Sequence, residues 1–203
     1  MRYLFLIPVI FLSVLILPVE IRSQDWEFVK EKDGIKIFTR LEPGNNFKSF
    51  KGELEISAEV SEVCSLIEDV ERFVKWDEDV RLIKVLEHEP GEFLKYYVIY
   101  DVPWPFKDRD LCVETHITSN QLDGSIFLKS RPIPDAYPPG EDCVRITNYW
   151  QNWMIQPTET GMVRIILEGY ADPSGDIPAW IANLAITDTP LSMLIAIREE
   201  IKN

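Results

Sequence analysis

The chain has 203 residues and a formal net charge of −13; its 46% hydrophobic against 27% charged residues is a globular balance that excludes a disordered or collagen-like protein. One domain with a sizeable core fits that length, and an acidic surface repels nucleic acid and anionic lipid headgroups, so no nucleic-acid partner is expected. Three cysteines, Cys64, Cys112 and Cys143, make neither a complete disulfide framework nor a closely spaced zinc set. They read as buried free thiols, the alternative being a Cys112–Cys143 bridge in an oxidising compartment.

Arg2 precedes a run from Tyr3 to Leu17 that is apolar apart from Ser13, and Pro18 and the polar Glu20-Ile21-Arg22-Ser23 follow it. This is the shape of a secretory signal over residues 1–23, which places a domain of residues 24–203 in a secreted or periplasmic setting. Pro8, Pro18 and a run shorter than about 20 residues argue against a membrane span. The small-x-small cleavage pattern is missing, so an uncleaved N-terminal anchor is the alternative fate of the same segment.

Residues 36–40 and 47–56 read as a strand pair joined across Glu42-Pro43-Gly44-Asn45-Asn46. Helical spacing then takes over at 61–69, with Val63, Leu66 and Ile67 on one face and Ser61 as cap, and a short second helix spans 70–76. From Arg81 onward strands dominate. Leu94, Tyr96, Val98, Tyr100 and Val102 share one strand face; Leu111, Val113, Thr115 and Ile117 share the next; Val163, Ile165 and Leu167 share a later one. Their opposite faces carry Lys95, Asp101, Glu114, His116, Arg164 and Glu168, so an antiparallel sheet with one dry face is predicted. Alternation also groups Tyr149, Gln151 and Trp153 and puts Trp150 on the outer side.

The last 29 residues predict a helix that is apolar nearly all the way round. Within residues 177–186 only Asn183 is strongly polar, so the helix should be covered on every side. Gly175 and Asp176 break the preceding strand, Asp176 caps, Pro178 fits the first turn, and Pro190 interrupts or kinks the helix. Trp180, Ile181, Leu184, Leu191, Leu194 and Ile195 are expected to be inaccessible to water, against the sheet side bearing Val98, Leu111, Val113 and Ile165.

Three blocks in order carry a family resemblance: Lys75-Trp76-Asp77, the Pro103-Trp104-Pro105 loop closed by Arg109-Asp110, and residues 175–183. Together with Trp26 and Asp33-Gly34-Ile35-Lys36-Ile37 they resemble the START family of lipid-transfer domains over essentially residues 25–203. The resemblance implies an α+β helix-grip fold, a curved antiparallel β-sheet wrapped around a long C-terminal α-helix, enclosing a hydrophobic cavity for one lipid. It also implies a gate formed by Pro103, Trp104, Pro105 and Arg109 with the last helix. The implied lining is Tyr96, Val98, Tyr100, Leu111, Val113, Thr115, Tyr149, Trp153, Ile165, Trp180, Ile181, Leu184, Leu191 and Leu194.

Where the phosphatidylcholine-binding branch has two further cage aromatics, this chain has Val98 and Leu111, with only Tyr149 retained, and Phe73 stands at its arginine position although Asp77 is present. At the acid–arginine pair of the sterol branch stand Tyr96 and Thr115. What remains is an apolar pocket with hydroxyls from Tyr96, Tyr100, Thr115 and Tyr149. Burying about 500 Å² of ligand at about 25 cal/mol per Å² gives roughly 12 kcal/mol before ordering costs. A sterol, terpenoid, carotenoid-like pigment or fatty acid therefore fits better than a charged metabolite.

Catalytic chemistry is weakly represented. His88 and His116 read as surface histidines, and no phosphate loop or Gly-x-Ser-x-Gly elbow occurs. Asp77, Glu78 and Asp79 read as a solvated turn, and Asp108, Arg109 and Asp110 as ion pairs at the loop base. The expectation is a monomeric binder or carrier of one hydrophobic ligand, with no cofactor or metal and transient membrane contact. The rivals are a cyclase or hydrolase of the same fold superfamily acting on a polyketide-like substrate, and an interaction module with a filled core.

Overall fold

The computed structural model describes residues 25–202, so the segment assigned to a signal or anchor, residues 1–23, lies outside the described residues. The described residues form ten strands: β1 Glu27–Lys32, β2 Ile35–Leu41, β3 Lys48–Ile56, β4 Val80–Glu89, β5 Phe93–Tyr100, β6 Arg109–Ser119, β7 Ile126–Pro132, β8 Val144–Arg145, β9 Asn148–Pro157 and β10 Val163–Asp172. They form one sheet in the order β1-β2-β3-β10-β9-β7-β6-β5-β4, antiparallel throughout except that the two-residue β8 runs parallel to β6. Leu94, Val98, Leu111, Val113, Ile165 and Leu167 of the predicted dry face are buried, with Leu128 and Ile155 beside them, but Tyr97, Ile99 and Cys112 on the opposite face are buried too, so dryness is not confined to one face.

Between β3 and β4 the chain forms α1 (Val60–Glu68), a 3-10 turn at Val70–Arg72 and α2 (Phe73–Trp76). Val63, Cys64 and Ile67 are the buried face of α1, and its N-cap is Glu59, with no side-chain cap bond, rather than the predicted Ser61. The single second helix predicted over 70–76 is divided into the 3-10 turn and the four-residue α2.

The C-terminal segment is two helices, α3 (Ala179–Ala185) and α4 (Asp188–Lys202). The break falls at Ile186 and Thr187, not at Pro190, which is in the first turn of α4, where its missing donor costs nothing. The N-cap of α3 is Pro178, with no side-chain cap, rather than Asp176. α4 buries Pro190, Met193, Leu194 and Ile197 and packs against β2 and β3.

α3 departs from expectation. None of its residues is buried; Trp180 is 66% and Leu184 72% exposed, so the enclosure predicted for these two does not hold. Ile181, Leu191 and Ile195 are half-buried, and only Leu194 of the predicted set is fully covered. A helix apolar on every side carries no periodicity that says which face turns inward, so its exposed face was not legible.

Candidate ligand cavity

Between the sheet and the α3–α4 junction is an apolar cavity of about 190 Å³, lined by Phe50, Tyr100, Leu111, Ile146, Tyr149, Gln151, Tyr170, Ala171, Ile186 and Thr189. No carboxylate, imidazole, ammonium or guanidinium is among these residues. A narrower void of about 10 Å³ adjoins it, walled by α1, the 3-10 turn and α2 on one side and by Leu94, Tyr96, Thr115, Leu128, Ser130, Gln151 and Trp153 on the other. Here Thr115 and Ser130 share a hydrogen bond of 2.8 Å, which satisfies both hydroxyls.

The hydroxyls of Tyr96 and Tyr149 pair with each other, linking the two spaces. Burial pushes the phenols of Tyr96, Tyr100 and Tyr149 well above their usual value, so all three are neutral groups in an apolar setting. Such a wall accepts hydrocarbon and one neutral polar group, and offers nothing to compensate a buried charge.

The predicted lining residues thus divide. Tyr100, Leu111 and Tyr149 line the cavity, and Tyr96, Thr115 and Trp153 line the narrow void. Val98, Val113, Ile165 and Leu194 are packed into the core instead, Val98 being 1% exposed and the other three fully covered. Phe50, Ile146, Gln151, Tyr170, Ala171, Ile186 and Thr189 complete the cavity from outside the predicted lining. Ile186 was not legible as lining because the sequence puts the helix break at Pro190, whereas the structure puts it at Ile186 and Thr187.

Of the residues expected to form a gate, Pro103, Trp104 and Pro105 are exposed, Trp104 at 92%, whereas Arg109 is buried. Among the described residues Arg109 has no carboxylate within ion-pair distance, which corrects the expectation of an ion pair. Its Nε donates to the Pro173 carbonyl and its Nη2 to that of Ser174, each at 2.9 Å, and Nη1 donates to Lys107 O. One side chain therefore ties the base of the loop to the backbone that leads into α3. Burial lowers its pKa, with Asp176 and Asp108 offsetting part of that effect.

The neighbours of Arg109 do pair: Asp108 with Arg81, and Asp110 with Arg145 through two bonds of 2.8 Å. Asp110 also accepts from Tyr97 Oη at 3.0 Å and Gly140 N at 2.7 Å. Burial alone would raise this carboxyl, but the Arg145, Gly140 and Tyr97 bonds outweigh it and hold Asp110 below the usual carboxylate range.

Asp77 is another correction. It is 8% exposed rather than solvated, accepts the Asp79 amide at 3.1 Å, and is raised by its burial. Phe73, at the position where the phosphatidylcholine branch has arginine, is buried and stacks on Trp76 with ring centroids 5.4 Å apart. His116 is exposed beside Glu114, and His88 is exposed beside Glu68. All three cysteines are free, Cys64 and Cys112 buried and Cys143 half-buried.

An antiparallel sheet closed by a C-terminal helix, with an apolar cavity at their junction, defines a helix-grip domain. The START domain family model matches residues 12–191, and the chain belongs to the START family. It is 29% identical over 177 residues to an uncharacterised protein of Pseudomonas aeruginosa, covering 87% of this chain and 86% of that one. It is 24% identical over 167 residues to the phosphatidylcholine transfer protein of Rattus norvegicus, covering 79% and 76%. Among solved structures it resembles a StAR-related lipid transfer protein from Xanthomonas axonopodis, with 28% identity, a TM-score of 0.79, and coverage of 88% of this chain and 99% of that one.

Proposed function

We propose that this chain binds one neutral, lipid-like molecule at the tyrosine-lined cavity and carries it between membranes from a secreted or periplasmic location. The observation that carries the reading is the cavity wall, which among the described residues is hydrocarbon, neutral hydroxyls and the Gln151 carboxamide with no charged group. A sterol, terpenoid, carotenoid-like pigment or aliphatic lipid suits that wall. A phosphocholine headgroup does not, because neither the cavity nor the narrow void supplies a cation for its phosphate.

Binding is favoured over cyclase or hydrolase chemistry because the cavity wall lacks an acid–base pair or activated nucleophile, which such reactions need within reach of substrate. Membrane contact falls to the exposed Trp104, Trp180 and Leu184, apolar side chains on two segments that Arg109 ties together at their bases. The acidic surface directs that contact to neutral bilayers rather than anionic ones.

The test is native mass spectrometry of protein purified from its own host, followed by extraction of whatever is bound. An apolar molecule at one per chain is expected. A hydrophilic metabolite, or conversion of an added polyketide or ester, would replace this reading with the enzyme one.

A further inference from the structure

Three voids lie in series along the inner face of the sheet. The cavity and the narrow void share Gln151, and the narrow void shares Val70 with a solvent-open groove of about 610 Å³ at the far end of β4 and β7. The cavity alone, at about 190 Å³, is smaller than the roughly 300 to 1,000 Å³ that small-molecule sites usually occupy, whereas the groove falls within that range. Val70, Val85 and Ile126 give the groove an apolar floor.

Its rim is acidic and organised. Glu68 accepts the Gly91 amide at 2.9 Å and the Cys64 thiol at 3.2 Å and lies 3.3 Å from His88 Nε2, with Asp69 and Glu71 alongside. Burial, then Glu68, push the Cys64 thiol up to about 12, so it stands there as a protonated donor and not as a nucleophile. An acidic rim over an apolar floor suits a hydroxyl or amine at the end of a hydrocarbon, and repels a carboxylate.

We propose that this groove is a second mouth of the same binding site, and that it holds the hydroxyl- or amine-bearing end of an elongated aliphatic ligand whose other end lies in the tyrosine-lined cavity. The inference rests on the lipid-binding reading above and narrows its ligand class. In the present structure the narrow void between them is closed. Passage of a chain re-seats Phe73, Leu94 and Trp153, on the wall beneath the short 3-10 and α2 cover.

Two photoreactive forms of octadecanol test this on the full chain, one with a diazirine beside the hydroxyl and one at the methyl end, each mapped by peptide mass spectrometry. The hydroxyl-end probe should label Val70, Val85 or Ile126 and the methyl-end probe Leu111, Ile146 or Ile186, both lost under excess unlabelled octadecanol. Labelling of the cavity wall alone by both probes overturns the second mouth and leaves the lipid-binding reading standing. No competable labelling anywhere on the inner face overturns the elongated aliphatic ligand, and the lipid-binding reading itself falls only if the host-purified protein also carries no apolar molecule.

Discussion

Leu194 of α4 sits directly over Gly52 of β3, its Cδ1 2.7 Å from where a Cβ on that glycine would stand. The helix reaches the sheet because β3 has no side chain at that point. Leu194 is fully buried and has little room to withdraw, so Gly52→Ala overpacks the contact. Its expected cost is about 1 to 3 kcal/mol, read as a lower urea midpoint at unchanged slope.

The exposed face of α3 gives a different expectation. Leu184→Asp should change folding stability by less than about 0.5 kcal/mol, because the side chain is already in water. Placing a carboxylate where a leucine would enter a neutral bilayer should slow transfer of a fluorescent sterol between phosphatidylcholine vesicles roughly tenfold, from the loss of about 1.5 kcal/mol of apolar contact. Unchanged transfer would remove α3 from the membrane-contact surface.

Acid should unfold the domain partly through Asp110. Its folded pKa is depressed, so its contribution is fully present above the unfolded carboxylate value of about 3.9 and is lost as pH falls through the lower folded value. Asp110→Asn leaves Arg145 largely buried without its charge partner, at an expected cost of about 3 to 5 kcal/mol near neutral pH. The difference between wild type and variant should narrow below about pH 4, measured by urea unfolding across the acid range.

The main dry face of the sheet was legible from the alternation at Leu94 to Tyr100 and Leu111 to Ile117, but the burial of Tyr97, Ile99 and Cys112 on the opposite face, where Ile133 and Tyr137 pack on them, was not. Contacts across long sequence separations were not legible either. Arg145 meets Asp110 from 35 residues away, and His88 meets Glu68 from 20, and neither pairing leaves a local pattern. Burial of Asp77 was not legible for a related reason. Its charged neighbours Glu78 and Asp79 suggest water, while the fold turns this one carboxylate inward beside Tyr100. Arg109 stood out through its motif, but its partners are backbone carbonyls, which no side-chain pattern can show.

The central claim is that a lipid-like molecule occupies the cavity between the sheet and the α3–α4 junction. Ile186 lines that cavity and is only half-buried, so Ile186→Trp fills the space from its edge with little strain on the core. Native mass spectrometry of wild type and variant, both purified from the natural host and both checked for unchanged circular dichroism, tests the claim most directly. Wild type should carry one apolar ligand per chain and Ile186→Trp should carry none. A folded variant that keeps its ligand at the wild-type ratio would contradict it.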